Sequence, residues 1–416
     1  MGENSSKTKK LYLLGGDQKE DTLLNHVEIS VVESEKRTNG SLHFREFYTT
    51  YLIETKCTDL EFHVKLSKIS TVWRRYSEFE TVHDYLEHTY PYIVVPPLPE
   101  KRVLFSWQKV STDTFDPDFV DRRRAALETF LLRVASHPIL GWNKIFIEFL
   151  QHDTWKGSLE SNGYWKIAEN KLKSLSVSTH RLKNPNSHFE TLKSRRNSMH
   201  TCIYNMLKAR SRVAEKQYNV YKLHQNYGRV FSEWSAIEKE MGDALQKTGH
   251  YLDSLSSSVD GLLEDEELLV DQFKEYLFFA VALQQICRNH ETLLVKLENA
   301  EENVSAKNAE KTRAIQGKIG IMSRLFGTID TEEVREMKVN DLDQQIHEAT
   351  EAVNQSKSDL TEFCSKALTD VDRFQVQKAA DLKETLVAFA LLQLKAAKKG
   401  LQTWTQIRNC LQNIPS

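Results

Sequence analysis

The longest stretch without proline does most to limit how this chain can fold. Its eight prolines include Pro185 and Pro415, and the 229 residues between these two contain none. A proline inside a helix costs roughly 3 kcal/mol, so long continuous helices require a stretch of this kind. The C-terminal half is therefore predicted to form helices much longer than those of an ordinary globular domain.

Apolar residues at helical spacing divide this half into three predicted helices. The first covers about residues 187–258, the second about 262–318 and the third about 332–412. Gly261 separates the first two, and the acidic run Glu264–Glu267 suits the N-terminus of the second, where the helix dipole favours negative charge. At 1.5 Å per residue the two outer helices would each reach roughly 100 Å.

Three antiparallel helices of this length bury little surface per residue, and apolar stripes would stay exposed on a single copy. Dimerisation is the simplest way to cover such stripes. We therefore expect residues 187–414 to form an all-α, three-helix domain that dimerises. The polar residues Gln217, His224 and Ser356 lie near the expected seam, where they can influence the choice of partner.

The first third of the chain has a different pattern. Three runs rich in β-branched and aromatic residues predict strands at residues 26–32, 47–55 and 70–73. Helical spacing begins at Ser77, and two further helices are predicted at about 118–137 and 142–151. Strands that are followed by helices, and do not alternate with them, indicate an α+β domain with a three-stranded sheet.

Cationic and aromatic residues cluster after the third predicted strand. The run Trp73–Phe79 contains Arg75 and Tyr76, Lys101 closes a proline-rich segment, and Arg122–Arg124 opens the next helix. A phosphorylated inositol ring needs cationic donors for its phosphates and a flat surface against its face. Any one of these residues alone would be interpreted as a surface ion pair, but three motifs together indicate a phosphoinositide site.

The motifs Arg-Arg-Tyr-Ser-Glu-Phe, Pro-Pro-Leu-Pro-x-Lys and Arg-Arg-x-x-Leu-Glu-x-Phe-Leu resemble those of the phox-homology (PX) domain, over about residues 24–152. The resemblance implies phosphatidylinositol 3-phosphate as the ligand. It also implies a role for each of five residues: Arg75 grips the 3-phosphate, Tyr76 stacks under the ring, Ser77 touches the phosphate, Lys101 meets the 1-phosphate and Arg123 reads the ring hydroxyls.

The C-terminal half is similar to a BAR domain, and the chain from about residue 20 resembles the PX-BAR sorting nexins, in runs such as Asn226–Trp234 and Lys274–Phe278. The resemblance implies a cytoplasmic, peripheral protein on early and recycling endosomes, with a role in cargo sorting, recycling and autophagy. The implied partners are anionic membrane, transmembrane cargo receptors, and either a second copy or another PX-BAR sorting nexin.

Two further segments lie outside these domains. Residues 1–23 are predicted to form a polar tail and residues 153–186 a linker. Within the linker, an amphipathic segment at 164–176 suits either the lipid interface or packing on the helices. Lys and Arg outnumber Asp and Glu by 12 to 3 between Trp165 and Lys216. Cations expected to face anionic lipid or solvent are Lys193, Arg195, Arg196, Lys208, Arg210, Arg212 and Lys216, and near the far end of the arm Lys307, Lys311, Arg313, Lys318 and Arg324.

Several function classes are not expected. The chain has no apolar window long enough to span a bilayer, its polar N-terminus predicts no secretory signal, and its net charge is only −2. Its motifs include no P-loop, no zinc-protease or serine-hydrolase signature and no Cys/His metal spacing, so we expect no enzyme, cofactor or nucleic-acid partner. A coiled-coil tether or signalling scaffold is the alternative; a phosphoinositide-modifying enzyme would need a nucleophile or metal set beside the pocket.

Overall fold

The computed structural model describes residues 21–39, 46–59, 67–101, 105, 115–161, 186–316 and 332–414. Two domains follow each other along the chain: we call residues 21–161 the N-terminal domain and residues 186–414 the helical domain. The fold is the one predicted, an α+β domain with a three-stranded sheet followed by three long helices. None of the described helices is apolar over a sufficient length to cross a membrane.

The sheet of the N-terminal domain is antiparallel, with the strands in chain order. Its strands are β1 (Val27–Asn39), β2 (Glu46–Cys57) and β3 (Ile69–Arg75). The register between β1 and β2 shifts between Val31 and Glu33, so that Val32 forms a bulge. β1 extends beyond the predicted strand, because its outer part, after the bulge, is polar and mostly exposed and so gives no strong sequence signal.

Five helices accompany the sheet in the described part of the N-terminal domain. They are α1 (Leu23–His26), α2 (Tyr76–Thr89), α3 (Pro117–Ala135), α4 (Lys144–Gln151) and α5 (Trp155–Ser161). The sequence predicted α2, α3 and α4, and not the short α1 and α5. Buried residues of the strands and helices, including Ile29, Ile53, Phe79 and Phe130, form one core, which also contains Trp155 of α5.

Side-chain caps determine where two of these helices begin. Asp116 accepts hydrogen bonds from the backbone N–H groups of Asp118 and Phe119 at the start of α3, and Asn143 accepts one from Phe146 at the start of α4. Such caps satisfy backbone donors that have no partner within the helix.

The helical domain contains α6 (Ser187–Ser235), α7 (Gly242–Ile315) and α8 (Glu332–Gln412), with 49, 74 and 81 residues. At 1.5 Å per residue, α7 and α8 span about 110 and 120 Å and α6 about 75 Å. The three helices share one apolar core, in which Phe189, Leu283 and Phe374 are buried.

The predicted boundary between the first two long helices is wrong. The chain reverses at residues 236–241, and α7 runs through Gly261 without a break. A glycine costs only about 1 kcal/mol in a helix, less than the packing of α7 against its neighbours provides. The acidic run Glu264–Glu267 therefore lies inside α7 and not at its N-terminus, and the first helix is shorter than the roughly 100 Å expected.

The N-terminal domain packs directly on the helical domain. Val94, from the extended segment after α2, is 3% exposed and belongs to the core of the helical domain. Arg133 at the end of α3 donates hydrogen bonds to Glu275 of α7 and to Asp381 of α8, and the guanidinium is buried. A buried arginine with two carboxylates forms a directional contact, so the two domains meet in one defined orientation.

Candidate headgroup-binding site

The two arginines at the end of β3 point to opposite sides of the sheet, because successive strand residues alternate. Arg74 is 2% exposed, and its guanidinium donates to the carbonyl oxygens of Phe149 and His152 at the C-terminus of α4, at 2.8 and 2.5 Å. Arg75 is half-buried on the other side, and its guanidinium lies 3.6 Å from the ring centroid of Tyr48. In the part of the chain that the structure describes, no carboxylate pairs with the Arg75 side chain.

Arg75 also marks the start of α2. Its backbone N–H donates to the carboxylate of Glu78 at 2.9 Å, and Ser77 lies exposed in the first turn. The first N–H groups of a helix have no partner within it, so this end favours an anion. Arg75 and Ser77 therefore flank a position where a phosphate group would meet both a guanidinium and a helix N-terminus.

Tyr76 connects this helix start to the proline-rich segment. Its hydroxyl donates a 2.6 Å hydrogen bond to the carbonyl oxygen of Pro99. Burial, together with the nearby Glu80 carboxylate, raises the pKa of Tyr76 to about 12, so the hydroxyl stays protonated and can keep donating. The hydrogen bond holds Lys101, two residues beyond Pro99, on the same side of the domain.

Arg123 of α3 closes the site. Its Nη2 donates to the carbonyl oxygen of Lys101 at 2.9 Å, and the guanidinium lies 5.0 Å from the ring centroid of Tyr76 and 4.3 Å from that of Phe119. Its Nε atom is buried without a hydrogen-bond partner among the described residues. The Lys101 ammonium is exposed and lies 2.6 Å from Glu80.

The structure thus brings Tyr76, Lys101 and Arg123 into direct or one-step contact, with Arg75 and Ser77 adjacent along the chain. Sequence reasoning missed three neighbours: Tyr48 and Phe119, which lie under the two guanidinium groups, and Glu80, which pairs with Lys101. Periodicity could place Glu80 on the first turns of α2, but only the packing shows that it faces Lys101.

The other predicted basic surfaces are partly engaged within the protein. Lys193 pairs with Glu190 and Glu291, and Arg210 pairs with Glu266 and Glu267 of α7. Of the predicted cations on α6, Arg195, Lys208, Arg212 and Lys216 are exposed, and the last three follow one another at intervals of four along one side.

Near the end of α7 the cations also have partners. Lys307 donates to Gln345 at 2.6 Å, and Lys311 pairs with Asp343, whereas Arg313 is exposed. Lys318, Arg324 and the predicted amphipathic segment at 164–176 lie outside the described residues. Of the polar residues expected near the seam, Ser356 is 4% exposed, and the ring of His224 lies 6.3 Å from that of Trp404 on α8.

Comparison with known proteins agrees with this architecture. A model of the PX domain matches residues 63–153. The solved structure of the SNX-BAR Mvp1 tetramer is similar over 91% of this chain and 99% of that one, with a TM-score of 0.63 at 17% identity, which shows a shared fold. The fold and the N-terminal site define a PX domain followed by a BAR-like domain.

Curated relatives narrow this class. Sorting nexin-4 of Mus musculus is 45% identical and that of Homo sapiens 46% identical over 401 residues, which cover 94% of this chain and 88% of each relative. Sorting nexin-30 of Xenopus tropicalis is 25% identical over 375 residues. The chain belongs to the sorting nexin family, and it is similar to sorting nexin-4 over nearly its whole length.

Proposed function

We propose that this sorting nexin binds phosphatidylinositol 3-phosphate through Arg75, Tyr76, Ser77, Lys101 and Arg123, and that as a dimer it curves endosomal membrane during cargo sorting and recycling, including membrane traffic that serves autophagy. The observation that carries the proposal is the meeting of Tyr76, Lys101 and Arg123 beside the helix start at Arg75. These groups supply cations, hydroxyl donors and a ring surface within one site.

Each group has a task that its chemistry suits. Arg75 has no carboxylate partner in the described part of the chain, so its fork is available for bidentate contact with the 3-phosphate. The Tyr76 ring offers a face for the inositol, and the N–H groups of the Arg123 guanidinium are donors for a ring hydroxyl. Lys101 would exchange Glu80 for the 1-phosphate, a phosphodiester that carries one negative charge, as the carboxylate does.

Dimerisation is supported by two exposed apolar stripes on the helical domain. Single copies rarely leave such large contiguous apolar surfaces in water, and a second copy or a related PX-BAR sorting nexin would cover them. The exposed members on α6 are Val213, Val220, Leu223, Tyr227, Val230 and Trp234, and those on α8 include Val387, Leu391, Leu394, Leu401 and Trp404.

A dimer would bind membrane more tightly than its single sites. Linking two headgroup sites can raise avidity by roughly 10² to 10⁴ without any new contact. The exposed stripe Lys208, Arg212 and Lys216 would add attraction to anionic lipid, about 1 kcal/mol for each charge near the surface. The dimer would then recognise lipid identity and membrane shape together. It would do so on the cytosolic face of early and recycling endosomes, with transmembrane cargo receptors as further partners.

The test is liposome sedimentation with vesicles that contain phosphatidylinositol 3-phosphate and with matched vesicles that lack it. Arg75→Ala is expected to weaken binding at least about tenfold, because it removes charge-assisted hydrogen bonds of roughly 1.5–3 kcal/mol each. Lys144→Ala is the matched control, since its side chain is 81% exposed on α4 and its loss removes the same charge. Undiminished binding by Arg75→Ala would count against the site.

Electron microscopy of the same vesicles separates two outcomes. Membrane tubules support the curvature function, and clustered round vesicles without tubules support a coiled-coil tether. Long helices such as α7 and α8 suit both functions, so the shape of the membrane is the observation that distinguishes them.

A further inference from the structure

A series of alternating charges leads from the headgroup site into the helical domain. Oε1 of Glu100 lies 3.1 Å from Nζ of Lys274 on α7, and the same Nζ lies 3.4 Å from Oδ1 of Asp271. Asp271 in turn accepts two hydrogen bonds from the guanidinium of Arg122, at 2.9 and 3.1 Å. Lys274 and Asp271 each face opposite charge on two sides, and this arrangement offsets the cost of holding a charge away from water.

The series continues across the long helices. Nη1 of Arg122 lies 3.1 Å from Glu267, which also pairs with Arg210 of α6. Arg210 donates to Glu266 at 3.2 Å, and Gln393 of α8 donates to the same carboxylate. We call the charged members the interdomain ion network: Glu100, Lys274, Asp271, Arg122, Glu267, Arg210 and Glu266.

Two members of the network are chain neighbours of two headgroup residues. Glu100 directly precedes Lys101, and Arg122 directly precedes Arg123. Arg123 also donates to the carbonyl oxygen of Lys101, so the two headgroup cations are joined to each other as well. The network therefore holds the backbone immediately before each cation, and a shift of either anchor would move a headgroup ligand.

The proline-rich segment borders a cavity on the side that faces the helical domain. The cavity has a volume of about 1070 Å³, and its lining includes Pro97, Leu98, Pro99 and Glu100. Lys274 contacts the segment at this cavity, with its side chain 4% exposed and that of Glu100 13% exposed. The ion pair therefore joins the segment that ends at Lys101 to the helical domain, in addition to the hydrogen bonds that Tyr76 and Arg123 make to it.

We propose that Lys274 and Asp271 of the helical domain are positioning residues for the headgroup site, and that they raise its affinity for a single inositol phosphate headgroup through Lys101 and Arg123. The inference rests on the proposed function, since it concerns the same site. It assigns a binding role to helical-domain residues that touch no ligand, and the effect is separate from the avidity of a dimer.

The experiment uses the full chain and dibutanoyl phosphatidylinositol 3-phosphate, a water-soluble lipid that occupies each site independently, in isothermal titration calorimetry. Lys274→Met keeps the aliphatic stem and removes the charge, and it is expected to weaken binding roughly threefold to tenfold. Lys274→Arg is expected to restore most of the affinity. Asn289→Ala is the matched control, because it removes a 2.8 Å hydrogen bond to Pro91 across the same domain contact but outside the network.

A double-mutant cycle distinguishes positioning from general destabilisation. If Lys274 acts through Lys101, then Lys274→Met adds little further loss when Lys101→Met is already present. An equal loss in both backgrounds overturns the positioning role. Glu100→Gln removes the same ion pair with a smaller change in shape and replaces Lys274→Met if that variant does not fold.

The same set of variants also distinguishes a failure of this inference from a failure of the proposed function. Binding that Arg75→Ala abolishes, with affinity unchanged in both Lys274→Met and Glu100→Gln, overturns the inference and leaves the proposed function in place. Absence of binding by the unaltered chain overturns both.

Discussion

Nε2 of His137 lies 2.9 Å from Oδ1 of Asp370, a residue 233 positions further along the chain in α8. Nδ1 of His137 accepts hydrogen bonds from the backbone N–H groups of Ile139 and Leu140, at 3.0 and 3.2 Å. A nitrogen that accepts carries no hydrogen, so the neutral ring donates from Nε2. Asp370 also accepts from the backbone N–H of Val94 at 2.7 Å, and one carboxylate thus joins two parts of the N-terminal domain to the helical domain.

This contact predicts a stability change that depends on pH. Burial alone would raise the pKa of Asp370, but the hydrogen bond from His137, the charge of Arg373 and the Val94 N–H together hold that pKa below the ordinary value of 3.8. A carboxyl group with a lowered pKa stabilises the fold fully above the pKa of the unfolded chain. The contribution is lost as the pH falls through the lower, folded value.

Asp370→Asn is expected to lower the free energy of unfolding by about 1–3 kcal/mol at pH 7, because two buried donors lose a charged acceptor. The gap between the variant and the unaltered chain should narrow below about pH 4. Thermal unfolding from pH 7 to pH 3 measures both quantities. A gap that stays constant down to pH 3 would contradict the assignment.

The adjacent residues Arg74 and Arg75 are expected to differ in what their loss affects: Arg74 the stability of the fold, and Arg75 the affinity for the headgroup. Arg74→Met should lower the free energy of unfolding by about 3 kcal/mol, since it leaves the carbonyl groups at the end of α4 without their donor. Arg75→Ala should change stability by about 1 kcal/mol or less, because its guanidinium has no carboxylate partner in the described ranges and only stacks on the Tyr48 ring. Paired measurements of unfolding and of headgroup affinity test this division. Equal stability of the two variants would refute it.

A close approach of α6 and α7 predicts sensitivity at one glycine. A Cβ atom on Gly249 would lie 2.7 Å from the carbonyl oxygen of Gly228 and 2.5 Å from Oγ of Ser232. Gly249→Ala should therefore lower the free energy of unfolding by about 1–3 kcal/mol, as the helices are forced apart. Gly261→Ala meets nothing within 4 Å and should instead stabilise α7 by up to about 1 kcal/mol. Chemical denaturation compares the pair, and a destabilised Gly261→Ala would contradict a continuous α7.

The apolar stripe of α8 predicts an effect on assembly. Leu394 and Leu401 are 56% and 72% exposed and lie on one side of the helix. Replacing both with glutamate should convert a dimer into a monomer in sedimentation equilibrium, while the helical circular dichroism stays unchanged, because charge would enter a desolvated seam. Lys395→Glu, at a side chain 79% exposed, is the control and should leave the mass unchanged. A monomeric starting chain would contradict a homodimer through this stripe.

Local sequence patterns were sufficient to predict most of the elements but not their ends. The long helices follow from the spacing of apolar residues, and the three strands follow from runs of β-branched and aromatic residues. The helix boundary placed at Gly261 was wrong because glycine is a weak local signal, and contacts along the whole of α7 outweigh it. The chain instead reverses at residues 236–241, before Gly242.

Part of the candidate site could likewise be predicted from the sequence, and part of it depends on the packing. The resemblance of the motifs to those of the PX domain implied Arg75, Tyr76, Ser77, Lys101 and Arg123 as site residues, and residue type carries their charge and ring chemistry. Sequence reasoning did not separate the roles of Arg74 and Arg75, which differ because one side of the sheet faces α4. The pairing of Glu80 with Lys101 also depends on how α2 and the proline-rich segment pack together.

By itself the amino-acid sequence determined the elements and the chemical types available to them: an α+β domain, a long helical domain, and a set of cations and a tyrosine suited to a phosphorylated ring. Tertiary structure decided which charges face each other. The ion pairs Glu100–Lys274 and Arg122–Asp271 join residues 174 and 149 positions apart. No local pattern encodes such pairs, because their energy arises only when packing removes both partners from water and leaves each as the other's neighbour.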